Sequence, residues 1–145
     1  MTVRASALVA TMGGVNAGKG RLREQGDVVA QVRSGLPYAA LETIARDLEV
    51  TLKELLPILD IPWTTLMRRK RAKRFRPDES DRIYRVARIA AMAADVLEGK
   101  ERASRWLQEP NRALGGEVPF RLLDTEVGAR QVETVLGRIE HGIYS

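Results

Sequence analysis

From Leu41 the apolar positions fall at Leu41, Ile44, Ala45 and Leu48, the i, i+3, i+4, i+7 spacing that lines one face of an α-helix. Thr51-Leu-Lys-Glu54 follows with the form of a capping box, in which a hydroxyl and a carboxylate each satisfy an orphan amide of a first helical turn. A second stripe, Leu52, Leu55, Leu56 and Leu59, starts there. Pro57 interrupts it, lacking an N–H and crowding the carbonyl of Lys53, so this helix is predicted to be short or kinked. Asp60-Ile-Pro62 reads as a turn, with proline where a first helical residue needs no donor. A third helix is predicted from about Pro62, with Trp63, Leu66 and Met67 inward and Thr64, Thr65, Arg68, Arg69 and Arg71 outward.

The pattern continues beyond it. Pro77 with Asp78, Glu79 and Asp81 marks another helix start, since acids there complement the macrodipole. Its apolar stripe is Ile83, Val86, Ala87, Ala90, Ala93, Ala94 and Leu97, and Gly99 is the expected left-handed residue after its end. Arg82, Arg85 and Arg88 fall on its outside, as an extension of a DNA surface, as partners for a protein's acids, or as a solvated face. Residues 100–109 form a short helix with Ala103, Trp106 and Leu107, stopped by Pro110. Asn111-Arg-Ala-Leu-Gly-Gly116 makes a loop, Pro119 opens one turn with Phe120, Leu122 and Leu123, and a last helix runs from about Glu126 to Gly142 with Val132, Val135, Leu136 and Ile139 inward.

Composition agrees with an all-α chain. The 145 residues suffice for one core, and aromatics at 5% are few for a β-sandwich or barrel. The absence of cysteine removes disulfides, thiolate metal sites and cysteine nucleophiles, and points to a reducing cytoplasm. No apolar run reaches the length of about eighteen residues that a membrane span needs.

Charge changes the picture more. Residues 68–76 hold seven of the 24 basic residues and no acid, although the whole chain carries only +5. So concentrated a block suits a polyanion, because each neutralised phosphate releases condensed counterions. A short helix, a tight turn and a basic helix compose a helix-turn-helix, whose second helix enters the major groove. The candidate DNA contacts are therefore Thr64, Thr65, Arg68, Arg69, Lys70, Arg71, Lys73 and Arg74.

Catalytic signals are weak by comparison. Gly13 to Gly20 matches the phosphate-binding loop G-x-x-x-x-G-K-[ST] except at its last position, where Gly20 offers no hydroxyl for magnesium. A flexible glycine-rich arm accounts for it better, and better than an organelle transit peptide, which the early cations Arg4, Lys19, Arg21 and Arg23 would otherwise resemble. His141 is the sole histidine, so no multi-histidine metal site exists. No enzyme activity, cofactor or metal is expected.

These segments in this order, Leu41-Glu-Thr-Ile-Ala45, Leu52-Lys-Glu-Leu-Leu56, Thr65-Leu-Met-Arg-Arg-Lys70, Asp78-Glu-Ser-Asp-Arg82, Trp106-Leu107, Asn111-Arg-Ala-Leu-Gly-Gly116, Leu122-Leu-Asp-Thr125, Gly128-Ala-Arg-Gln-Val132 and Leu136-Gly-Arg-Ile-Glu-His-Gly142, resemble the Xre/MbcA/ParS antitoxin family. The resemblance covers about residues 36–145. Residues 1–35 lie outside it and read as an N-terminal arm; the resemblance implies an Xre-like helix-turn-helix at 36–76 and a small helical toxin-binding domain at 77–145. It also implies a partner, a RES-domain toxin encoded alongside, which consumes NAD or uses it for ADP-ribosylation. The antitoxin would occlude the toxin's NAD pocket and repress its own operon as a homodimer on operator DNA, in a bacterial cytoplasm. Toxin contacts would come from residues 100–145, with Arg138, His141, Gly142, Ile143, Tyr144 and Ser145 nearest the pocket. An apolar tail with a terminal carboxylate would suit a site built for an anionic dinucleotide. Where the family often has Ser or Thr before the recognition helix, this chain has Ile61-Pro62-Trp63, so operator preference is expected to differ. The alternative is a stand-alone helix-turn-helix regulator whose C-terminal half serves dimerisation.

Overall fold

A computed structural model describes residues 21–142 of the chain, with side chains from residue 26 onward. Seven α-helices are present among them: α1 (Arg21–Ser34), α2 (Tyr38–Leu48), α3 (Leu52–Leu59), α4 (Trp63–Ala72), α5 (Pro77–Val96), α6 (Lys100–Gln108) and α7 (Glu126–Glu140). Two 3-10 segments, Arg112–Leu114 and Pro119–Asp124, lie between α6 and α7. No strand occurs among the described residues; Pro37 and Arg74 form a single antiparallel bridge. The glycine-rich segment with Lys19, and Ile143, Tyr144 and Ser145, lie outside the described residues.

The elements form where the spacing of apolar residues places them. Leu41, Ile44, Ala45 and Leu48 of α2 are buried, as are Leu55 and Leu59 of α3, while Leu52 and Leu56 pack at its margin. Both halves of the capping box form: the Glu54 N–H donates to Thr51 Oγ1 at 3.1 Å and the Thr51 N–H to Glu54 Oε1 at 3.3 Å. Pro57 sits in the last turn of a helix of eight residues, short as its ring demands.

The long helix α5 organises the rest. It packs against α1, α6 and α7 and touches α2, α3 and the second 3-10 segment. Ile89, Ala91 and Met92 are buried in addition to the predicted stripe, so apolar residues face neighbours on more than one side, as a central helix requires. One hydrophobic cluster runs from Val28 through Leu66, Phe75 and Ile89 to Leu136. The helix-turn-helix and the C-terminal segment therefore share one core.

Three local expectations are corrected. Residues 21–34, within the stretch expected as an arm, form α1, and its Val28 is buried. The helix α4 starts at Trp63, with Pro62 as the extended residue before it instead of its first member. The left-handed residue after α5 is Glu98 (φ 60°), one place before Gly99. The helix stops at Val96, and the Gly99 N–H then reaches back to the Ala94 carbonyl at 2.9 Å, a Schellman closure that puts Glu98 at the C′ position.

Candidate functional site

The turn before α4 is held by its neighbours. Asp60 adopts φ 53°, the Ile61 N–H donates to the Leu56 carbonyl at 3.2 Å, and Ile61 is buried. Leu66 is fully buried and anchors α4 from its middle. Because Ile61 and Leu66 fill the core here, Trp63 is displaced to the rim and is 46% exposed, against the expectation that it faces inward. Its ring lies under Lys53 of α3, with Nζ 5.5 Å from the ring centroid.

The predicted DNA contacts divide. Thr64, Arg68, Lys70, Arg71 and Lys73 are exposed, and among the described residues none of these cations pairs with an acid. Thr65 is half-buried and accepts a hydrogen bond from Arg68 Nη2 at 3.3 Å. Arg74 is exposed along its length, yet its Nη1 donates to the Gly35 carbonyl. Arg69, expected outward, turns inward: its Nε donates to Glu79 Oε1 at 2.7 Å and its Nη2 to Glu79 Oε2 at 3.0 Å. Glu79 also accepts the Arg76 N–H at 2.9 Å and is 5% exposed. Burial alone would raise the Glu79 pKa, but the Arg69 and Arg76 hydrogen bonds and the guanidinium charge outweigh it and hold the carboxyl below its ordinary range. The helical wheel explains the difference, since Arg69 follows Leu66 by three residues and lies on its face.

The end of α4 is zipped to the segment before α2. The Tyr38 N–H donates to the Lys73 carbonyl at 3.0 Å and the Phe75 N–H to the Leu36 carbonyl at 2.8 Å, while the Tyr38 and Phe75 rings stack with centroids 5.6 Å apart. Gly35 permits this approach: a Cβ there would stand 2.1 Å from the Phe75 carbonyl oxygen. The basic helix is thus presented by a rigid frame.

Of the alternatives left open for Arg82, Arg85 and Arg88, the structure takes none: all three bind within the chain. Arg82 Nε donates to the Leu59 carbonyl at 2.6 Å, satisfying the end of α3. Arg85 Nε lies 3.4 Å from Glu126, and Arg88 Nη2 lies 3.4 Å from Glu126 and 3.0 Å from Glu133. Burial would raise the Glu126 pKa, but Arg88 foremost, with Arg130 and Arg85, holds it low. These pairs join α5 to α7.

In the C-terminal half α6 is fixed to α2 by Ser104 Oγ, which donates to the Leu48 carbonyl at 2.7 Å, and by Gln108 Nε2, which donates to the same carbonyl at 2.9 Å. The loop after it closes on Asn111. Its Oδ1 accepts the Ala113 N–H at 2.9 Å and its carbonyl the Gly116 N–H at 2.8 Å, while its own N–H donates to the Glu117 carbonyl at 3.0 Å. Gly115 (φ 68°) and Gly116 (φ 86°) supply the left-handed backbone this ring needs. Arg112, Ala113, Gly115, Gly116 and Glu117 project as an exposed knob. Arg138 and His141 are exposed at the end of α7, His141 3.9 Å from Glu140, and Gly142 adopts φ 74°. This loop is the Asn-Arg-Ala-Leu-Gly-Gly run that stands out in the sequence.

Residues 27–88 match the antitoxin Xre-like helix-turn-helix domain, and residues 92–142 match the antitoxin Xre/MbcA/ParS C-terminal toxin-binding domain. Among known proteins, Antitoxin Xre of Yersinia enterocolitica is 34% identical over 120 residues, covering 81% of each chain. Antitoxin Xre of Photorhabdus laumondii is 38% identical over 118 residues, covering 80% of each. A Sphingobium protein named Prs ADP-ribosylating antitoxin is 27% identical over 131 residues, 82% of this chain and 81% of its own.

Proposed function

The chain belongs to the Xre family of type II antitoxins, and from that premise we propose that it inactivates a RES-domain toxin through its C-terminal half and represses its own operon through α4. The observation that carries the DNA part is the exposed side of α4, where Thr64, Arg68 and Arg71 share one face at i, i+4, i+7 spacing and Lys70 is exposed beside it, while Leu66 and Arg69 hold the helix down. Cations on such a face bind phosphates, and the first residues of the helix reach base edges. A homodimer would place two such faces on a symmetric operator.

For the toxin part the support is the match of residues 92–142 to a toxin-binding domain. The name of the Sphingobium relative adds ADP-ribosylation, chemistry that draws on NAD. On this reading Arg138, His141 and Gly142 lie at the mouth of the toxin's pocket and Ile143, Tyr144 and Ser145 enter it, blocking the dinucleotide without chemistry of their own.

The deciding experiment is cellular NAD in cells expressing the neighbouring toxin gene alone and together with this protein. NAD is expected to fall in the first and hold in the second. Equal NAD in both removes the NAD-consuming toxin from the account. Deleting residues 143–145 should keep the fold and DNA binding but abolish protection, and protection retained by that truncation sinks the tail's role.

A further inference from the structure

The protein leaves a large aromatic side chain in solvent at the one place on α4 where a base reader belongs. Trp63 is the first residue of that helix, 46% exposed, and lines an open cleft of about 670 Å³ together with Leu56, Pro57, Ile61 and Pro62, with Lys53 and Asp60 as its charged members. It is held in place by backbone and by charge. Pro62 (φ −64°, ψ 150°) fixes its approach, Ile61 is locked in the core behind it, and Lys53 lies over its ring. Lys70, seven residues on from Trp63, is exposed on the same side of the helix, and Thr64 and Arg71 are exposed on the flank between it and Arg68. An indole here can neither hold a phosphate by charge nor form the bidentate pairs that Arg or Gln make with purines. Its apolar face instead matches the one apolar group in the major groove, the 5-methyl of thymine.

We propose that Trp63 is a specificity-determining residue that packs its indole on a thymine methyl in each half-site, with Lys53 beside it on the adjacent phosphate. This rests on the DNA-binding reading above. The chemistry divides the work on the surface: cations at 68, 70, 71 and 73 hold any sequence, and Trp63 distinguishes thymine from the other bases. An aromatic at this position therefore gives the protein an operator preference unlike that of a relative with a polar residue there.

The test begins by selecting preferred sites from a random-core duplex library with the full chain. Each thymine of the selected site is then replaced in turn by deoxyuridine, which lacks only the methyl. One replacement per half-site is expected to weaken wild-type binding about fourfold, the worth of one buried methyl. Trp63→Ala should bind the thymine site more weakly and be indifferent to that replacement, while Trp63→Phe keeps the sensitivity. Melting curves of the two variants check that the exposed side chain is not needed for folding. A Trp63→Ala protein that remains as sensitive to the methyl as wild type overturns the proposal, as does a site at which no thymine methyl matters. Selection that enriches no sequence at all overturns the DNA reading itself, and does so before any variant is compared. Thymine preference unchanged in Trp63→Ala, with loss of a protein partner instead, would assign the indole to protein binding.

Discussion

Arg69 and Glu79 show how a residue's neighbours override its type. Within a run of seven cations Arg69 turns into the protein to pair with an acid, and the carboxylate it meets is nearly inaccessible to water. Removing one partner strands the other charge, so Arg69→Ala is expected to lower stability by about 3 kcal/mol, measured by urea unfolding. Because the Glu79 carboxyl titrates below its ordinary value of 4.5, the stability it contributes is complete above that pH and is lost as pH falls through the lower folded value. Glu79→Gln should therefore be less stable at neutral pH and show a shallower loss below about pH 4.5. A variant with the wild-type acid slope would show that the pair does not govern it. The spacing from Leu66 puts Arg69 on the inner side of α4, but its role depends on an acid ten residues away, on a helix whose packing against α4 local periodicity does not specify. The same limit hid Trp63, because a hydrophobic residue beside a turn reads as core until Ile61 is seen to occupy that place.

At the scale of elements the sequence was more legible, since stripes and caps act within a turn or two. The stripe of α2 is buried as spaced, as are those of α5 through Ala93 and of α7 through Leu136, while Ala94, Leu97 and Ile139 are half-buried, and the Thr51–Glu54 box forms. Thr51→Ala should cost about 1 kcal/mol in thermal unfolding, and loss of several times that would mean the threonine does more than cap. Where elements meet, local reading fails. Gly128 in the first turn of α7 looks like a weak helix residue, yet a Cβ there would lie 2.0 Å from the Leu122 carbonyl oxygen. Gly128→Ala is therefore expected to lower the melting temperature sharply, while Gly137→Ala, where a Cβ meets nothing within 4 Å, should leave it unchanged or raise it. Equal behaviour of the two would contradict the close packing of α7 on the second 3-10 segment. The arginines of α5 belong here too: their spacing reads as an outer face, but they are half-buried, Arg82 against the end of α3 and Arg85 and Arg88 against Glu126 and Glu133 of α7.

For the whole molecule the basic face sets a measurable exponent. If Arg68, Lys70, Arg71 and Lys73 each touch phosphate, log affinity for DNA should fall with log salt with a slope of about 3.6 per protomer. Lys70→Ala should reduce that slope by about 0.9, whereas Arg69→Lys, an internal change, should leave it alone. A slope unaffected by any of the four exposed cations would place the contact surface elsewhere. The all-helical class and the order of segments could be read from the sequence because both follow from local periodicity, but the sharing of one core by the two halves could not, since it depends on what α5 touches. That shared core has a consequence for the protein's lifetime in a cell. Both halves of the described chain pack on α5, so an opening that frees this helix exposes both to a protease, and on the proposed function DNA and toxin would be released together and on the same clock.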